Sequence, residues 1–60
     1  MNNIEVNQWY IIHKNTKTIF HGPYYSGKWA RSQLESDRAR FSYLDDLVLA
    51  KCTMAMEIIE

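Results

Sequence analysis

The chain is short of the residues that usually staple a small domain. Its 60 residues include one cysteine, Cys52, one proline, Pro23, and two glycines, Gly22 and Gly27. A lone cysteine excludes an internal disulfide and fits a reducing compartment or a buried thiol. Net charge is also missing, with seven Lys and Arg against seven Asp and Glu. A dedicated nucleic-acid domain is usually strongly basic, so this balance argues against one. No apolar run approaches the roughly 18 residues that span a bilayer. Met1-Asn2-Asn3 leads into a mixed polar stretch, not a basic region followed by an apolar one, so no signal peptide is expected. These absences predict a soluble cytoplasmic protein. There is no repeat, linker or low-complexity tract.

What is present is apolar and aromatic, at 47% and 13% of residues, too much for a disordered chain. The length allows one domain, residues 1–60. A chain of this size buries only about 60% of the surface its unfolded form exposes, so a partner or a metal often completes it. Charge is unevenly placed. Lys14, Lys17, Lys28, Arg31, Arg38 and Arg40 face only Glu5, Glu35 and Asp37 in residues 1–40. Beyond them Asp45, Asp46, Glu57 and Glu60 outnumber Lys51. Such polarity either attracts an anionic partner or is neutralised when the two ends meet in the fold.

Val6 to His13 reads as a strand, rich in β-branched and aromatic residues. Lys14-Asn15-Thr16-Lys17 is a polar turn in which Asn15 tolerates a left-handed backbone. Thr18 to His21 closes the hairpin, and Gly22-Pro23 ends it because Pro23 offers the sheet no amide hydrogen. Ser26 is an N-cap for a helix over 27–37, with Trp29, Ala30 and Leu34 facing the core. Residues 38–51 are ambiguous. A hairpin around Asp45-Asp46 is one reading. A second short helix over 43–51, capped by Ser42 with acidic residues in its first turn and Lys51 at its end, is preferred. Thr53 to Ile59 reads as a last strand. The expected fold is α+β, ordered β-β-α-α-β, a small antiparallel sheet of the N-terminal hairpin and the C-terminal strand packed on one or two short helices.

"GPYYSGKW" imitates a phosphate-binding loop, with Gly22, Gly27 and Lys28 in register. The motif then requires a Ser or Thr hydroxyl for magnesium, and Trp29 stands there. The stretch is better read as a strand-to-helix joint. His13 and His21 fall on opposite faces of the expected hairpin, Cys52 has no zinc-like spacing to other ligands, and Asp45-Asp46 diverge on a helix. No catalytic, cofactor-binding or metal-binding residue is assigned. The chain reads as a binding protein, not an enzyme.

The expected strands are apolar on both faces, and two short helices cannot cover both. An open face marks an interface, first of all a homodimer. The expected partner-binding residues are Trp9, Tyr10, Ile12, Ile19, Tyr24 and Tyr25. The alternative is nucleic-acid binding, with Lys28, Arg31 and Arg38 on phosphates and Tyr24, Tyr25 or Trp29 stacking on bases.

Two resemblances bear on function. Trp9, Tyr10, Gly22, Pro23 and Trp29, in the pattern "WY…HGPYYS…W", resemble GYF domains, which would imply binding of proline-rich peptides. The Gly-Tyr-Phe triplet that defines those domains is replaced here by "ARFSY", so that function is not carried over. The run "WYIIHKNTKTIFHGPYYSGKWARSQLE" resembles, in style, small ββα accessory proteins of bacteriophages and their bacterial hosts. That resemblance implies a protein that binds and inhibits a host protein or nucleic-acid complex. It transfers no functional residue.

Overall fold

The computed structural model describes residues 6–59. Glu5 and Glu60, counted in the charge asymmetry, and Met1-Asn2-Asn3 lie outside them. The elements are strand β1 (Trp9–His13), strand β2 (Ile19–Tyr24), helix α1 (Gly27–Arg40), strand β3 (Leu47–Cys52) and strand β4 (Met56–Ile58). The four strands form one antiparallel sheet in the order β2-β1-β3-β4. The fold is α+β, as the sequence implies, with one helix instead of two.

The preferred second helix over 43–51 is a strand. Leu47, Val48, Leu49 and Ala50 are all buried, in β3 at the centre of the sheet. A short run that is apolar on every side suits a strand covered on both faces as well as a helix. Here pairing decides. β3 lies between β1, in unbroken register from Trp9↔Lys51 to His13↔Leu47, and β4. Ser42 therefore caps nothing and sits in a turn, and Asp45-Asp46 lead into a strand.

Helix α1 starts where expected. Ser26 has an extended backbone, and its hydroxyl accepts from the Trp29 amide at 3.3 Å. The helix runs one turn further than expected, to Arg40, and Phe41 N–H donates back to Asp37 C=O at 2.8 Å to close it. Arg38 and Arg40 in the last turn complement the negative end of the helix dipole. Ala30 and Leu34 pack with Ile11, Leu47 and Leu49 into one core layer, bordered by Trp9, Phe20, Tyr24 and Leu44. Trp29, expected in this layer, is 58% exposed. A 14-residue helix on a narrow sheet buries only a stripe, and Trp29 stands beside it.

The centre of the other sheet face is not open, although Ile19 and Ile58 at its edges are exposed. Tyr10, Ile12, Val48, Ala50 and Cys52 form a second buried cluster, with Met56 packed against it. Tyr10 is 1% and Ile12 0% exposed, so neither offers surface to a partner in this conformation.

Strand β2 corrects two further expectations. It continues through Gly22-Pro23, joined by a cis peptide, to Tyr24. Proline is tolerated because β2 is an edge strand, where an amide facing solvent is not needed. Its register with β1 runs Ile12↔Ile19, Ile11↔His21, Trp9↔Tyr24, so β2 carries an extra residue at each of two irregularities. Gly22 lies at the second, with φ +131°, and a Cβ there would stand 2.6 Å from Tyr10 Cδ1. Only glycine suits that backbone and that contact. In the β1–β2 turn, Lys17 and not Asn15 takes the positive φ, 62°.

Replacing Leu49 with Ala should cost about 2–5 kcal/mol, the range for a buried leucine. Ser42→Ala should change stability by less than about 0.5 kcal/mol, as at an ordinary surface site. Urea unfolding of both variants checks this, and a capped helix at 43–51 would instead cost about 1 kcal/mol at Ser42.

Candidate functional site

The β2 irregularities decide what the protein presents at the seam between β2 and α1. Each extra residue shifts the side-chain alternation by one. The plain hairpin pairs Tyr10 with His21, whereas the bulged one pairs Ile11 with His21. His21 therefore shares the helix face of the sheet with Ile11 and with His13, two residues further along β1. The expectation that the two histidines lie on opposite faces fails for this reason. Phe20 stands between them, 5.4 Å from the His13 ring centroid and 4.6 Å from that of His21.

Each imidazole binds a carboxylate. His21 Nδ1 lies 2.6 Å from Asp37 Oδ2, and Gln33 Nε2 donates to Asp37 Oδ1 at 3.0 Å. Asp37 is 1% exposed and is the one buried charged residue among those described. Its carboxylate sits in the last turn of α1, where the helix dipole opposes it, so these two hydrogen bonds are what keep it there. An ionised carboxylate only accepts, so in this contact Nδ1 of His21 is the donor; the His21 side chain is 42% exposed. His13 Nδ1 lies 3.0 Å from Asp46 Oδ1 in a pair whose carboxylate is less deeply buried than Asp37. The hydrogen bond from His13 holds the Asp46 carboxyl below its ordinary range, against an opposing effect of burial. Burial, aided by the charge of Asp37, raises the Tyr24 phenol.

The seam has aromatic ends. At one, Trp9 pairs with Tyr24 across β1 and β2, and the Tyr24 ring lies 5.7 Å from Trp29. Gly27 lets the helix start against Trp9, since a Cβ there would stand 2.8 Å from Trp9 Cζ2. Lys51 lies 5.0 Å from the Trp9 ring centroid, a cation–π distance. Tyr25 is 64% exposed beside them in sequence. At the other end Phe20 meets Phe41 at 5.4 Å and Phe41 meets Tyr43 at 6.2 Å.

Of the expected partner-binding residues, the structure gathers Trp9 and Tyr24 at one place, leaves Tyr25 and Ile19 exposed, and buries Tyr10 and Ile12. Lys28, Arg31 and Arg38 are on the helix surface, but Arg38 Nε and Nη2 donate to Leu47 C=O at 3.2 and 2.9 Å. That contact puts Arg38 on the β3 flank. At about 100° per residue, Trp29 lies about 180° round the helix from Arg38 and about 160° from Arg31. Arg31 and Arg38 thus stand on the flank of the helix opposite Trp29. Sequence reasoning missed His21, Asp37 and Gln33. The spacing of Gln33 and Asp37 on one helix face is legible, but no pattern announces the bulge that brings His21 to them.

Among the described residues no pocket opens, no three metal-ligating side chains converge, and no helix is long and apolar enough to cross a membrane. Comparison with protein-family models, curated proteins and solved structures finds no match.

The two carboxylate pairs differ in burial, and so in cost. His21→Ala leaves a buried acceptor of Asp37 without a partner and should destabilise by about 1–3 kcal/mol. His13→Ala should cost less, because the Asp46 carboxylate it leaves is 17% exposed and can be met by water. Denaturant midpoints at neutral pH test the order. For Asp46 the folded-state carboxyl titrates lower than the unfolded one, so its contribution is complete above the unfolded value, about 3.9. It is lost as pH falls through the folded value. The stabilities of wild type and Asp46→Asn should differ above about pH 4 and converge below it, read from unfolding curves across pH.

Proposed function

We propose that this chain is a non-enzymatic protein-interaction module that binds through the β2–α1 seam. One observation carries the reading: Trp29 and Tyr25, 58% and 64% exposed, flank Tyr24 at one end of the seam. Large aromatic side chains left in water beside a packed helix supply contact area at little entropic cost, as interface anchors do. The flat surface suits a protein better than a small substrate, which needs an enclosing pocket.

The nucleic-acid alternative is weaker on the same geometry. It needs Lys28, Arg31 and Arg38 beside the aromatics, while Arg31 and Arg38 stand on the far flank of α1. Self-association through the helix-free sheet face, the interface expected from sequence, has no exposed Tyr10 or Ile12 to use. The resemblance to phage accessory proteins supports a bacterial host protein as partner, met in the cytoplasm, where Cys52 would remain a thiol.

Affinity capture from bacterial lysate, with wild type and Trp29→Ala as parallel baits, tests the module. Proteins retained by wild type should be lost or reduced at least about tenfold with Trp29→Ala, since a central aromatic anchor is often worth more than 1.4 kcal/mol. Identical retention by both baits would remove the seam from the function. A salt-sensitive shift of mixed RNA or DNA would favour the alternative.

A further inference from the structure

The outer flank of α1 on the β2 side is self-complementary. Trp29 stands near its N-terminal end and Arg40 at its C-terminal end. They are eleven positions apart, so at about 100° per residue they lie within about 20° of each other round the helix. Between them on that flank and the adjoining outer ridge are Gln33, half-buried and bonded to Asp37, and Ser32 and Ser36, both small and exposed. Trp29 is 58% exposed beside Tyr24, and Arg40 is exposed.

We infer that this flank binds a second copy of the chain, with the two α1 helices antiparallel about a two-fold axis. This rests on the reading of the seam as an interaction surface and names its occupant. In an antiparallel pair, Trp29 of one copy meets Arg40 of the other, and the contact occurs twice. Each is a guanidinium on an indole face, the best cation–π combination. The serines meet near the axis and let the helices approach closely. A parallel pair would set arginine against arginine and is disfavoured by repulsion. Net charge is zero, so no long-range repulsion opposes association of two copies. The centre of the helix-free sheet face is buried, so that face offers a second copy only Ile19 and Ile58 at its edges.

The size of the flank sets the strength. A 14-residue helix is about 21 Å long. One flank of it, with Tyr24 and Tyr25 at the rim, provides less than the about 800 Å² per partner of a standard interface. The dimer belongs to the small, weak class of interfaces.

Sedimentation velocity of the full chain from ~1 to ~200 μM tests this, on wild type, Trp29→Ala and Arg40→Glu. Both substituted positions are exposed, so circular dichroism should show all three folded. Wild type should pass from monomer to dimer, and each variant should dissociate at least about tenfold more readily. A wild type that stays monomeric at the highest concentration overturns the inference, as does a dimer unaffected by Arg40→Glu. The lysate experiment separates this from the module reading. A monomeric wild type that still captures proteins in a Trp29-dependent way overturns the dimer and leaves the module standing. A dimer sensitive to both substitutions supports the inference whether or not a foreign protein is captured.

Discussion

The pairing of β1 with β3 joins residues 34 to 42 positions apart, from His13↔Leu47 to Trp9↔Lys51, without a bulge. Both strands are apolar on both sides, so each needs a cover above and below. Closing that long loop costs chain entropy before any contact rewards it. The return is burial of Tyr10, Ile11, Ile12, Leu47, Val48, Leu49 and Ala50 in one place. The other elements follow from that pair. Helix α1 covers the face carrying Ile11, Leu47 and Leu49, and β2 and β4 close the two edges. A chain this small has no second core to fall back on.

The seam is a consequence of the same economy. With one helix for one face, α1 can bury only the stripe holding Ala30, Leu34 and Asp37. Its neighbours in the turn remain outside, which is why Trp29 meets solvent. The irregular edge strand then brings His21 under the helix, where a buried carboxylate at the negative end of the helix dipole requires hydrogen-bond donors. His21 and Gln33 supply them. The polar contact fastens β2 to α1 between two aromatic ends, so the surface aromatics are carried on a braced joint and not on a free loop. Interface anchors bind more tightly when they are ordered before the partner arrives.

Local signals were legible wherever a single side chain or dihedral decides the matter. Ser26 was readable as a cap because its hydroxyl has one amide to satisfy within reach. The hairpin was readable from the β-branched and aromatic run of β1 and the polar turn after it. The strand at Leu47–Cys52 was not, since an all-apolar run of six satisfies either a buried strand or a buried helix. Ser42 and Asp45-Asp46 then imitated helix capping in a segment whose hydrogen bonds go elsewhere, to His13 and to the Lys14 amide.

By itself the sequence determined the class of the molecule: one small α+β domain, an N-terminal hairpin, a helix started at Ser26, and a nucleotide-loop lookalike spoiled by Trp29. These depend on composition, on period and on contacts within a few residues. Tertiary structure alone decided which faces were covered, that β3 is a strand, and that His21 meets Asp37. Each of those depends on partners far away in the chain. A one-residue bulge on β2 reverses which side of the sheet a histidine occupies, and the first of the two, between Ile19 and His21, is set by pairing with β1 and not by a local preference of Phe20.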